Sequence, residues 1–141
     1  MTEATAAPRP TRGLLDTSVV IAVEHVPPTA LPDESAISAI TMAELAAGPH
    51  ATDDPRERAV RQERLQRIEA TVDPLPFDDR AARAYGRVYA ATHAQHRKPR
   101  GARAVDLFIA AIALANELPL YTRNAAGFDH LSCIGLTVHA V

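Results

Sequence analysis

Apolar and polar positions along this chain fall into short apolar runs that suit strands and longer spaced stripes that suit helices. GLLDTSVVIAV, residues 13–23, opens as a strand, breaks at Asp16 and continues as a short helix through Val23. EHVPPTALPDES carries three prolines and ends that helix in a loop. SAISAI, residues 35–40, sets Ile37 and Ile40 among small residues and predicts a second short strand. ITMAELAAG then reads as a helical turn, with Thr41 in the N-cap place, Glu44 as a capping-box glutamate and Gly48–Pro49 as the stop. Residues 53–72 predict a helix capped by Asp54, with Pro55 first and Glu57 closing the box. Its stripe of Val60, Leu65, Ile68 and Val72 is thin, compatible with internal packing, a face for a second subunit or a groove for a partner protein.

Residues 74–95 give an extended entry and a helix capped by Asp78, with Ala81, Ala84, Tyr85 and Val88 inward. In residues 104–124, Asp106 heads a nearly all-apolar helix, Pro119 follows, and LPLYT makes a strand ending on Thr122, Arg123 and Asn124. Phe128 anchors the next loop, and LTVHAV closes the chain as a strand with His139 as an edge residue. Strands alternating with helices in this order predict an α/β fold with parallel pairing through crossover helices.

Composition narrows the picture. A chain of 141 residues suits one domain, read as a tail over residues 1–12 and a single domain over 13–141. Aromatic residues make up only 4%, with no Trp, so the core must be Ala, Val, Leu and Ile. A formal charge of −2 excludes a global field drawing the molecule to nucleic acid or anionic lipid, though a local patch remains open. The lone Cys133 rules out an internal disulfide and a multi-cysteine zinc site. It is expected as a small buried residue in a protein of the reducing cytoplasm. The apolar run from Leu107 to Ala115 is far short of the ~20 residues a bilayer helix needs, so no membrane association is expected. MTEATAAPRPTR has no apolar segment of a secretory signal.

Asp16 is the anomaly in the first apolar run, because a buried carboxylate needs a cation, a metal or hydrogen-bond donors. Thr17 and Ser18 can supply hydroxyls. In parallel α/β sheets ligands bind beyond the carboxyl ends of the strands. Asp16 and Asn124 lie at strand ends, Glu44 one turn into a helix and Asp106 at a helix start, so these side chains are expected to converge. No His pair or Cys set stands at ligand spacing, which leaves an oxygen-only site suited to a hard cation, Mg2+ or Mn2+. Such a cation activates water and stabilises both oxygens of an in-line displacement at phosphorus. HRKPRGAR, residues 96–103, is either a solvated loop or a phosphate-contacting one.

LLDTSVVI, SAITMAELAAG and AVDLFIAAIALANELPLYTRNAAGF, in this order and spacing, resemble the PIN domain, and most closely VapC-type toxins of type II toxin–antitoxin pairs. The resemblance implies a three-layer α/β/α domain with a short, mostly parallel central sheet. It also implies a Mg2+- or Mn2+-dependent endoribonuclease leaving 5′-phosphate and 3′-hydroxyl ends, usually dimeric and silenced by a cognate VapB-type antitoxin. The acids of the family fall on Asp16, Glu44 and Asp106, and the fourth position on Asn124. Relatives often place an acid there or just before the following aromatic, where this chain has Gly127; the fourth donor is then either Asp129 or Asn124, acting through its carbonyl or a bound water. Thr17, Ser18 and Thr122 take the hydroxyl positions that orient the acids. Arg97, Lys98, Arg100, Arg103 and Arg123 are the expected RNA contacts. Two alternatives stand beside this: a PIN-like module that binds RNA or protein without cleaving, and a phosphatase of the haloacid-dehalogenase kind.

Overall fold

The computed structural model describes residues 11–95, 97 and 102–141. Four strands, β1 (Arg12–Leu15), β2 (Glu34–Ala36), β3 (Leu120–Thr122) and β4 (Val138–Ala140), form one sheet in the order β2-β1-β3-β4. Every pairing in it is parallel, as the crossover helices require. Among the described residues five α-helices flank it: α1 (Thr17–Ile21), α2 (Ala39–Ala47), α3 (Pro55–Thr71), α4 (Asp79–Ala94) and α5 (Ala102–Ala115).

Side chains alternate faces along a strand, and this alternation builds the three layers. Leu14 and Leu120 point into a core made with Ala84 and Val88 of α4 and Leu107, Ile109 and Ile112 of α5. Their neighbours Leu15 and Tyr121 point the other way, against Val19 of α1, Leu45 of α2 and Leu65 of α3. Phe128 is buried in the first core, as expected of the loop anchor. β4 is an edge strand, and its His139 stacks on Tyr121 with ring centroids 4.7 Å apart.

Several local expectations change. Thr11 and Arg12, counted with the tail, belong to the fold: Thr11 is hydrogen-bonded to Asp33 and Arg12 opens β1. The second strand ends at Ala36, and Ile40 lies in α2. Ser38, not Thr41, is the N-cap of α2, its hydroxyl accepting from the Thr41 amide at 3.0 Å. Glu44 is therefore not in the capping-box position. Asp54 caps α3 as expected, but Glu57 turns to Arg61 at 2.9 Å instead of closing a box. Leu65, Ile68 and Val72 of its stripe pack internally, while Val60 remains exposed. α5 begins at Ala102, so Asp106 lies one turn inside it and not at its head. Cys133 is exposed, against the expectation of burial.

Candidate active site

The site begins where β1 ends. The ladder between β1 and β3 runs on to the Asp16 amide, which donates to the Tyr121 carbonyl at 3.0 Å, and so sets Asp16 beside Thr122. Asp16 is 4% exposed and accepts from three groups. Thr122 Oγ1 donates to Oδ2 at 2.5 Å, Ser18 Oγ to Oδ1 at 2.5 Å, and the Val19 amide to Oδ1 at 3.3 Å. The last contact makes Asp16 the N-cap of α1, so one carboxylate both starts the helix and faces the strand ends. Both hydroxyls are held in turn: Thr122 Oγ1 accepts from the Asn124 amide at 3.0 Å and Ser18 Oγ from the Arg123 amide at 3.2 Å.

Glu44 reaches the same region from α2. Thr17 Oγ1 donates to its Oε1 at 2.5 Å and lies 3.0 Å from Thr41 Oγ1, which stands 3.4 Å from the capping Ser38 hydroxyl. The expected orienting roles of Thr17, Ser18 and Thr122 thus correspond to direct contacts with the acids. Thr41 and Ser38 extend this hydroxyl chain. With Thr41 expected as the cap, both were hidden, although a serine just before an apolar helical run is itself an N-cap signal.

Asp106 comes from α5, which packs against α2. Its carboxyl is pushed up to about 6, first by burial and then by the charges of Asp16 and Glu44, against a smaller lowering by Arg103. The charges of Asp16 and Glu44 therefore reach Asp106. As placed, no group of three His, Cys, Asp or Glu side chains among the described residues is gathered tightly enough to cage a metal ion. Asp16 and Glu44 are turned to their hydroxyl donors. The donor set is nonetheless oxygen only and bears unbalanced negative charge, which fits a hard divalent cation.

Asn124 follows the strand and is exposed. A side-chain carbon on Gly127 would stand 2.9 Å from Asn124 Nδ2, so the missing side chain at Gly127 gives the carboxamide its room. Asp129 is exposed on the turn Asp129–Ile134 and acts electrostatically on His130. Of the expected RNA contacts, Arg123 is exposed and Arg103 half-buried within reach of Asp106's field. Arg97 donates from Nη1 to the Ala126 carbonyl at 3.1 Å and lies 3.2 Å from His130 Nδ1. Lys98 and Arg100 lie outside the described residues. Thr92 and His130 had no part in the expected site.

A parallel sheet flanked by helices, with Asp16 directly after β1, defines a class, and the chain belongs to the PIN-domain family, matching it over residues 13–132. Within that family it belongs with the VapC-type ribonuclease toxins. It is 36% identical over 118 residues to ribonuclease VapC5 of Mycobacterium tuberculosis, covering 82% of this chain and 84% of the relative. The crystal structure of the toxin–antitoxin complex VapBC-5 from Mycobacterium tuberculosis contains a chain similar at a TM-score of 0.78 and 32% identity, covering 94% of this chain and all of that one (100%). FitAcB from Neisseria gonorrhoeae contains another, at a TM-score of 0.67 and 26% identity over 89% of this chain and 95% of that one. This membership removes the haloacid-dehalogenase alternative. No helix among the described residues is long and apolar enough to cross a membrane.

Proposed function

We propose that this chain hydrolyses RNA phosphodiester bonds as a Mg2+- or Mn2+-dependent endoribonuclease, with Asp16, Glu44 and Asp106 as the cation's ligands and Asn124 at the fourth position. The observation that carries the reading is the raised pKa of Asp106, with the charges of Asp16 and Glu44 among its causes. An acid raised by burial and by the charges of two others, with hydroxyls and one arginine nearby, suits a site completed by a cation. When bound, the cation supplies Lewis-acid stabilisation of the phosphoryl oxygens and activation of the attacking water.

The chain's own residues perform the rest. Thr122 and Ser18 fix both oxygens of Asp16, and Thr17 fixes Glu44, so the ligands are oriented before substrate arrives. Arg123 and the basic stretch around Arg97 and Arg103 hold phosphates flanking the scissile bond, contacts that position the strand without reading its sequence. The partners of such a chain are the RNA, a cognate VapB-type antitoxin and a second copy in a homodimer. Antitoxin capture after co-expression and sedimentation of the free chain test the last two.

The activity test is cleavage of RNA by wild type and Asp16→Ala, each with Mg2+ and with EDTA. Cleavage by wild type in Mg2+ alone supports the reading. Cleavage that survives both EDTA and the substitution overturns it.

A further inference from the structure

Thr92 and His130, which the proposed reaction does not use, form a hydrogen-bonded chain that ends on Arg97. Thr92 is fully buried on α4, and its hydroxyl donates to the Val88 carbonyl at 2.8 Å. That same hydroxyl lies 2.9 Å from His130 Nε2. A hydroxyl has one hydrogen and a carbonyl only accepts, so the ring nitrogen is the donor: His130 carries its proton on Nε2. Nδ1 of the neutral ring is then a bare acceptor, and Arg97 Nη1 lies 3.2 Å from it. The other Nη1 hydrogen goes to the Ala126 carbonyl at 3.1 Å. Both hydrogens of Nη1 are committed, while the Nε and Nη2 hydrogens have no partner among the described residues.

The chain of contacts lies on the side of the molecule that carries the acids. Ala126 is in the turn directly after Asn124, and the charge of Arg103 acts on both Asp106 and His130. The charged groups facing the ring are Arg97, Arg103 and Asp129; burial and the two arginines favour its neutral form. A free arginine loses rotamer entropy when it grips a phosphate, and fixing it beforehand removes that cost. The fork of Nε and Nη2 matches two phosphate oxygens.

We infer that His130, seated on Thr92, is a positioning residue that holds Arg97 with its Nε–Nη2 edge presented to an RNA phosphate flanking the scissile bond. This rests on the ribonuclease reading above. It predicts that Arg97 and His130 act as one unit, Arg97 touching RNA and His130 touching only Arg97.

The test uses the full chain and a single-stranded RNA oligonucleotide in Mg2+, comparing wild type, His130→Ala, His130→Asn, Arg97→Ala and the double alanine variant. His130→Ala and Arg97→Ala each raise KM about tenfold with kcat within about threefold, as for a lost phosphate contact. The double variant is no worse than Arg97→Ala, and His130→Asn, whose Oδ1 takes the place of Nδ1, restores most of the affinity. Nitrogen-15 NMR of the imidazole shows the Nε2–H tautomer, with an Nδ1 resonance that moves in Arg97→Ala. Additive effects in the double variant, no rescue by Asn, or a ring protonated on Nδ1 would each overturn the inference. A wild type that cleaves no RNA overturns the ribonuclease reading instead. Oligonucleotide binding by anisotropy in EDTA then decides the inference: equal weakening by His130→Ala and Arg97→Ala supports it, and unchanged affinity in His130→Ala overturns it.

Discussion

Asp16 and Asp106 illustrate two opposite treatments of a carboxyl group. Asp16 is buried but saturated by two hydroxyls and an amide. Thr122→Val removes a donor to Asp16 and the acceptor of the Asn124 amide together, and a buried polar group left unsatisfied costs about 1–3 kcal/mol. Urea unfolding should show a loss of that size, with Thr122→Ser retaining most of the stability. Asp106 is instead pushed up to about 6 by burial and by its neighbours' charges. Because its folded pKa lies above the unfolded value of 3.8, its contribution to stability is full below pH 3.8 and is lost as pH rises through about 6. Asp106→Asn should therefore raise the thermal midpoint of the metal-free chain at pH 7.5, lose that advantage near pH 4, and abolish RNA cleavage. Thermal scans at the two pH values check the sign.

At the scale of elements, the ends of β1 and β3 determine where Asp16 stands, and the packing between these strands is tight. A side-chain carbon on Gly13 would collide with the Tyr121 ring, standing 2.7 Å from Cδ2, and would press on Pro32 at 3.2 Å. The ring cannot swing freely because it stacks on His139. Gly13→Ala should destabilise by about 1–3 kcal/mol, the usual cost of overpacking, read as a lower thermal midpoint. The sequence held no sign of this contact, since a Gly before an apolar strand says nothing of the ring on the neighbouring strand. It did reveal the strands, the long helices and their Asp caps, because periodicity and capping are local. Around residues 37–41 local evidence misled: Ile37 and Ile40 look like strand positions, yet Ser38 already caps α2. Glu44 looked like a cap for the same reason. Its contact with Thr17, 27 positions earlier, exists only once α1 and α2 pack together.

For the whole molecule, parallel topology sets Asp16 beside Thr122 at the ends of β1 and β3, ties Glu44 of α2 to α1 through Thr17, and lets the charges of Asp16 and Glu44 reach Asp106 of α5. The place of Asp16 at the end of a strand was legible, because the apolar run before it is local. The hydroxyl chain and the Arg97–His130–Thr92 contacts were not, because they join residues far apart in the chain with no shared motif. A ligand that binds only the folded state stabilises it in proportion to the logarithm of its concentration. Mg2+ should accordingly raise the thermal midpoint of wild type in a concentration-dependent way and leave Asp106→Asn nearly unmoved. The most direct test of the central claim, that Asp16, Glu44 and Asp106 make one cation site, is Mn2+ binding followed by electron paramagnetic resonance. Wild type should bind Mn2+ at neutral pH, with Asp16→Ala, Glu44→Gln and Asp106→Asn each weakening it by about tenfold or more. Equal affinity in wild type and Asp106→Asn would contradict the claim.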